Sequence, residues 1–372
     1  MAYDFFYPAY KAGGPVQSLL NLGLLFNKTN NISVITSAYD LNQKEYLDNV
    51  IPGQWNRNNN IDIFYLTDTQ QNFSFIKKLV SQRAPDVIYL NGMYSMPFVI
   101  FPIINWKWLL GKKSKLIIAP RGMLQEGALM LKSAKKKVFL TLFRFLKLHN
   151  DIVWHATDSQ EYIDVRKQFG KNANVVIAPN IPKRPLGILP INKAEKQLRL
   201  IYLSIISEKK NLHLAIKWLN EINVSIQFDI YGPIKDNEYW KSCQQMLKNN
   251  SSANISYKGE AQPDTVQNIF SKYHALLLPT SGENFGHAIY ECLSVGRPVI
   301  ISDKTPWNNV IADNAGFSFS INKEDEFKKA ILQLYNMGSE KYDSYCANAF
   351  NIANKYWNED VFAEAYSQLF NN

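Results

Sequence analysis

Hydrophobic and polar positions along the 372-residue chain follow two alternating rhythms. Short runs rich in β-branched and aromatic residues predict strands at 33–38 ("SVITSA"), 61–66, 86–91, 115–120, 152–157 and 174–178, with helical stretches between most of them. The same rhythm returns in the second half, with strand runs at 199–204, 225–231, 254–259, 274–279 and 297–302. Helical periodicity there falls near 211–222, 236–249, 263–272 and 286–296. Such alternation predicts an α/β protein whose parallel sheets are covered by helices on both faces. Between the halves, "PNIPKRPLGILPINKAEKQ" (179–197) holds four prolines and little periodicity, so the linker is placed there. The length suits two cores, hence two domains, 1–185 and 186–355, and two lobes imply a cleft. In doubly wound sheets ligands sit beyond the carboxyl ends of the strands, which directs attention to the loops that follow them.

Composition adds constraints. With 46% hydrophobic and 20% charged residues the chain reads as globular. Cys243, Cys292 and Cys346 are odd in number and lack metal-ligand spacing, which fits a reducing cytoplasm. The longest apolar stretch, "MYSMPFVIFPIINWKWLL", carries Pro97, Pro102 and Lys107 and reads as buried structure rather than a membrane span.

The net charge of +9 is concentrated. Residues 106–150 hold eleven Lys/Arg against Glu126 alone, a local charge of +10 in 45 residues. Within them, Lys135 to Lys137 are followed by Val138, Phe139, Leu142, Phe143, Phe145 and Leu146. That combination suits an anionic bilayer surface, or a core helix with a solvated basic edge. Nucleic acid is disfavoured as a partner, because no zinc-finger spacing, RNP string or recognisable helix-turn-helix occurs.

Candidate chemistry centres on "PTSGENFGHAIYECLSVGRPVIIS" (279–302). A buried strand runs into a small-residue turn carrying Glu283. A helix containing Glu291 follows, then Gly296 and another strand. The N–H groups of residues 284–287 would open that helix and form a natural anion site. The two carboxylates would be on the order of 10 Å apart along the axis, the span of a nucleoside diphosphate sugar. Taken as residues alone, the pair reads as an N-cap acid followed by a surface charge, and it is the surrounding string that points elsewhere.

The whole string resembles the E-x7-E signature of the family 4 glycosyltransferases, with their "E-x-F-G" opening and "G-x-P-V" exit. The resemblance implies a GT-B fold of two Rossmann-like domains facing a central cleft. The second domain would bind the donor and the first the acceptor, with a last helix, about 356–372, crossing back onto the first domain. It implies a retaining transfer of a hexose or N-acetylhexosamine from a UDP-linked donor by front-face substitution. The acceptor would be a saccharide linked to polyprenyl diphosphate, and the setting bacterial surface-polysaccharide (O-antigen or capsule) assembly at the inner face of the plasma membrane. Glu283 would orient the hexose, Glu291 would hold the ribose, and Asn284, Phe285, Gly286 and His287 would line the donor site between them.

Further matches extend the resemblance over most of the chain. "YPAYKAGGPVQSLLNLGLLF" looks like the family's glycine-rich loop and first helix, with Gly13 and Gly14 allowing backbone to approach a phosphate and Pro15 suiting the first turn. "SIISEKKNLHLAI" looks like the segment that neutralises the diphosphate: Lys210 fits the Lys position, Ile205 stands where an Arg is expected, and Lys209 or Arg121 could supply the missing charge. The alternative for the lysines is a solvated pair. "FDIYGPIKDNEYW" resembles the base-binding strand and loop around Tyr231 and Gly232. Arg121, in "APRGMLQEGALMLKSAKKK", would hold a phosphate at a strand end or form a structural salt bridge. His155 would line the cleft or be a satisfied core residue. The first ten residues leave room for only a short first strand. No Asp-x-Asp string occurs, so no metal cofactor is expected. Two alternatives remain beside the transferase: a nucleotide-sugar epimerase or hydrolase of the same fold, and a noncatalytic carbohydrate- or membrane-binding partner.

Overall fold

A computed structural model of the protein describes residues 1–109, 113–130, 133–248 and 253–371. Lys112 and Lys132 of the basic region lie outside them. The chain forms two compact units: Met1–Ile181 together with Glu359–Asn372, and Pro182–Asn358. The first crossing thus falls four residues before the expected 185/186 boundary, within the proline-rich stretch, and the second falls after Asn358.

In the first unit, β1 (Ile32–Ser37) pairs in parallel with β3 (Ile61–Leu66), which β2 (Trp55–Asn58) joins antiparallel on its other side. Four further strands run in parallel in the order β4 (Val87–Asn91), β5 (Lys115–Ala119), β6 (Val153–Ala156) and β7 (Asn174–Ile177). A full first strand is not needed to join the two sets. Ala2 bridges Leu90 of β4 in parallel through Ala2 N–H to Tyr89 O (2.9 Å) and Asn91 N–H to Ala2 O (3.0 Å), and Ile35 of β1 in parallel through Ile35 N–H to Met1 O (2.9 Å) and Tyr3 N–H to Ile35 O (3.3 Å). Every residue of β6 is buried, as is all of β5 after Lys115, the near-continuous burial expected of a parallel sheet covered on both faces. Gly13, at φ +79°, turns the chain into helix Gly14–Phe26, with Pro15 in its first turn where a missing N–H costs nothing. The closing helix Glu359–Asn371 buries Phe362, Tyr366 and Leu369 in this unit, with the Tyr366 ring 5.3 Å from that of His155.

The second unit is a six-stranded, all-parallel sheet in the order β10 (Asn254–Tyr257), β9 (Gln227–Tyr231), β8 (Arg199–Leu203), β11 (Ala275–Leu278), β12 (Val299–Ser302), β13 (Gly316–Phe319). Numbered within the unit this is 3-2-1-4-5-6, the doubly wound order, and the winding reverses between β8 and β11. The loops after those two strands therefore flank the switch point. Strands β11 and β12 are buried throughout, which is why "ALLL" and "VIIS" read so plainly as strands. Neither β2 nor β13 is among the predicted strands: "WNRN" is polar, and "GFSF" spans only four residues with alternate burial. No helix among the described residues is long and apolar enough to cross a membrane.

Candidate functional site

The loops at the switch point of the second unit are tied to each other before any ligand is considered. After β8, a 3-10 turn (Glu208–Lys210) ends at Asn211 in the left-handed region, φ +54°, which opens helix Leu212–Glu221. The buried Asn211 side chain donates to Pro279 O (2.9 Å) and Ser281 Oγ (2.8 Å) of the loop after β11, and Ser281 N–H donates to Lys209 O (2.8 Å). These bonds hold Lys210 against Glu283, whose carboxylate oxygen Oε1 accepts directly from Lys210 Nζ. The side chains are 16% and 13% exposed, so the pair is largely shielded from open water. Lys209 runs past Gly282, with Cε 3.7 Å from where a Cβ would stand.

Downstream of Glu283 the expected arrangement is partly corrected. Gly286, at φ +80°, precedes a helix that begins at His287 and ends at Leu293, so the helix opens after residues 284–286 rather than with them. The first intrahelical bonds are those of Ile289 and Tyr290 N–H to Gly286 O. Phe285 turns its ring inward. Its ring is buried among Trp307 (5.4 Å), Tyr356 (5.4 Å) and Tyr290 (5.8 Å), and its carbonyl accepts from Trp307 Nε1 (2.5 Å). It anchors the loop so that half-buried Asn284 and His287 lie on either side of a fixed point.

Glu291 is no surface charge either. It is 6% exposed, and its Oε1 lies 3.8 Å from Lys183 Nζ, which also donates to Pro263 O. Burial raises its pKa to about 7, against the opposing pull of Lys183. Lys183 went unnoticed in the sequence because it lies in the proline-rich stretch, where no periodicity assigns it a face.

Gly232, after β9, is required by close backbone approach: a Cβ there would stand 1.9 Å from Ser204 O, and φ is +141°. Tyr231 Oη lies 3.4 Å from Tyr273 Oη, which donates to Asp229 (2.7 Å).

In the first unit, Arg121 follows β5 in the left-handed region, φ +55°. Among the described residues it forms no carboxylate ion pair. Nε donates to Asn91 Oδ1 (2.7 Å), one terminal nitrogen to Asn180 Oδ1 (2.7 Å) and the other to Tyr89 Oη (2.9 Å). The next residue is pinned through Gly122 N–H to the buried Glu161 (2.6 Å), whose charge also favours the guanidinium. Glu161 also accepts from Thr157 N–H and Oγ1 (2.8 Å each).

His155 is the satisfied core residue of the two readings. It is wholly buried, Nε2 donates to Ala178 O (2.8 Å), and Nδ1 then accepts from Tyr89 Oη (2.7 Å). Burial, with Arg121 adding to it, lowers its pKa to about 3, so it is neutral and unavailable to a ligand.

Residues 189–351 match the family model described as Glycosyl transferases group 1. The match takes in the switch-point loops. Two relatives with transferase names align. The GtfA subunit of the UDP-N-acetylglucosamine–peptide N-acetylglucosaminyltransferase of Streptococcus pneumoniae is 24% identical over 223 residues, 55% of this chain and 42% of the relative. The O-antigen chain mannosyltransferase RfbU of Salmonella typhimurium is 27% identical over 140 residues, 37% of each chain. The chain thus spans about two fifths of the length of these relatives. Among solved structures, Anabaena HepE in complex with UDP and glucose superposes over 100% of both chains with a TM-score of 0.72 at 14% identity. The fold is GT-B.

Proposed function

We propose that the protein is a retaining glycosyltransferase that moves a hexose or N-acetylhexosamine from a UDP-sugar to a lipid-linked saccharide acceptor in bacterial surface-polysaccharide assembly. The observation that carries this is the Lys210–Glu283 pair at the switch point of the 3-2-1-4-5-6 sheet, with buried Glu291 eight residues on. The UDP and glucose bound by HepE and the O-antigen chain named for RfbU support the choice of donor and setting. A donor diphosphate brings more negative charge to Lys210 than Glu283 offers, which leaves the carboxylate free to accept sugar hydroxyls. Lys210, with Lys209 beside it, then stabilises charge developing on the leaving diphosphate, in place of a resident metal ion. The departing phosphate oxygen takes the acceptor's proton, so the chain supplies no covalent nucleophile. A thermal-shift screen of UDP, GDP and ADP, followed by turnover of the matching sugars, tests the reading. Stabilisation by UDP with saccharide product supports it, and donor hydrolysis alone would favour the hydrolase alternative.

Glu291 gives the donor site a pH dependence. Its carboxylate must be ionised to accept ribose hydroxyls strongly, and its pKa is raised to about 7. UDP affinity is therefore expected to rise about tenfold from pH 6 to pH 8, as the ionised fraction grows from roughly a tenth to nine tenths. Fold stability runs the other way: the unfolded chain releases this proton near the ordinary carboxylate pKa and the folded chain does not. The contribution of Glu291 to stability thus falls as pH rises from the ordinary carboxylate pKa to about 7. Isothermal titration at pH 6 and pH 8, with Glu291→Gln as the flat control, checks the slope.

The basic region supports a membrane-side placement. Helix Ser133–Phe145 buries Leu140 and Phe143 on one side, yet Val138 (69%), Leu142 (52%) and Phe145 (79%) are exposed at i, i+4 and i+7, near exposed Lys135, Lys137 and Arg144. Such an exposed stripe suits insertion at an anionic bilayer surface. A Leu142→Ser/Phe145→Ser variant is expected to sediment with phosphatidylglycerol-rich vesicles at least about tenfold more weakly. Unchanged sedimentation would count against membrane binding through this face.

A further inference from the structure

Helix Ser159–Phe169 buries Val165 and Phe169 in the core of the first unit and Glu161 against Gly122 N–H. Its neighbouring face presents Gln160, Ile163, Asp164, Lys167 and Gln168, at i, i+3, i+4, i+7 and i+8. That face lines a groove of about 680 Å³ within this unit, whose other wall is helix Glu126–Met130 and Lys137 of helix Ser133–Phe145. The volume is that of a small-molecule site, about 300–1,000 Å³. The groove shares no residue with the Lys210–Glu283 site. Its walls are tied together: Lys136 Nζ donates to Ala128 O (2.5 Å), and Arg144 donates to Gln168 O (3.3 Å).

Of the charged residues described in the lining, Asp164 alone is buried, at 8% exposed. Its Oδ1 accepts from Gln160 Nε2 (3.0 Å), whereas Oδ2 has no hydrogen-bond partner. A buried carboxylate oxygen left unpaired is costly, and such an atom calls for a donor from outside the chain. Burial shifts the Asp164 pKa upward, Asp158 and Glu126 add to the rise, and Gln160 and Lys167 oppose it. A donor that brings positive charge would satisfy the oxygen and offset that burial together.

The rest of the lining narrows the ligand class. Asp164 and Glu126 attract a cation, and exposed Lys137 and Lys167 attract an anion. A bare phosphate would meet the two carboxylates and a bare polyamine the two lysines, so the balanced lining suits a short zwitterion. Met130 (74%) and Ile163 (55%) add exposed apolar surface to the lining. Lys137 is followed at once by Val138, about 100° round the helix, where the exposed stripe of Val138, Leu142 and Phe145 begins. The groove therefore runs into the face that suits a bilayer. We propose that it binds the headgroup of an aminophospholipid, phosphatidylethanolamine. The ammonium donates to Asp164, Lys137 and Lys167 hold the phosphate, and the glycerol end lies over Met130 and Ile163. This selectivity is separate from attraction to anionic lipid, because the headgroup is net neutral. The proposal rests on the membrane reading for the lipid, and on the groove alone for the zwitterion.

The test sediments the full chain with vesicles of constant phosphatidylglycerol content, the balance being phosphatidylethanolamine or phosphatidylcholine. Choline carries the same charge as ethanolamine but no N–H to donate. Binding to the ethanolamine vesicles is expected to be about tenfold tighter, the worth of one charge-assisted hydrogen bond. Asp164→Asn keeps the size and the Gln160 contact and should bring that ratio to about one. Glu126→Gln, at an exposed position, should lower it in a chain whose fold is untouched, so the test survives if Asp164→Asn does not fold. A parent that binds the two compositions within about twofold, or a ratio kept by every folded variant, overturns the proposal. If the parent sediments with neither, free O-phosphoethanolamine is the probe, read by saturation-transfer NMR. Its binding, lost in the variants, upholds the zwitterion site and removes the membrane reading; no binding overturns both.

Discussion

In the Glu283→Gln variant, kcat/KM for sugar transfer is expected to fall about 10²–10³-fold, the effect of removing one preorganised electrostatic contact at a reacting centre. Glutamine keeps the size and one acceptor oxygen but removes the charge that pairs with Lys210 and would orient the hexose. The loss should appear in kcat while UDP affinity stays within a few-fold, because the proposed mechanism has the Glu283 carboxylate act on the sugar and Glu291 on the nucleoside. Stability should change little: both partners are partly exposed, and Asn211 and Ser281 hold the two loops together independently of the pair. Steady-state kinetics with a UDP-sugar, beside a melting curve, decide the matter. Turnover within threefold of the parent in a folded variant removes Glu283 from the chemistry.

The parts of this site that were legible in the sequence are those whose chemistry and local structure coincide. Glu283 follows a buried strand and Glu291 lies in the next helix, so one 24-residue string carried strand, turn, helix and both carboxylates. Lys210 was readable because it ends a short turn after another strand. What stayed hidden depends on contacts remote in sequence. Lys183 meets Glu291 across 108 positions, and nothing in a proline-rich segment announces that. Phe285 fits a donor-site motif as a letter, but its ring belongs to an aromatic cluster completed by Trp307 and Tyr356. His155 and Arg121 share a network through Tyr89, a strand residue whose hydroxyl no periodicity marks. The first strand is the instructive case in the fold. Residues 1–4 take the place where a longer apolar run is expected, bonding β1 through Met1, Tyr3 and Asp4 and β4 through Ala2, so four residues are enough to fill it.

Gly232→Ala is expected to produce the largest stability loss among these variants. The added methyl would stand 1.9 Å from Ser204 O, and φ of +141° is one that side-chain-bearing residues rarely adopt. Relief requires the backbone after β8 to move away from the backbone after β9, a cost of about 3 kcal/mol or more. For a unit of this size that corresponds to a melting temperature lower by on the order of 10 °C. Gly259→Ala separates collision from conformation. Its φ is +84°, equally unsuited to alanine, but no atom lies within 4 Å of the added methyl, so only the left-handed penalty of about 1–2 kcal/mol applies. The gap between the two variants measures the close approach itself. Because Ser204 begins the loop that carries Lys209 and Lys210, Gly232→Ala should weaken UDP binding as well, whereas Gly259→Ala should not. Equal melting temperatures for the two variants would show that the loops after β8 and β9 are not pressed together.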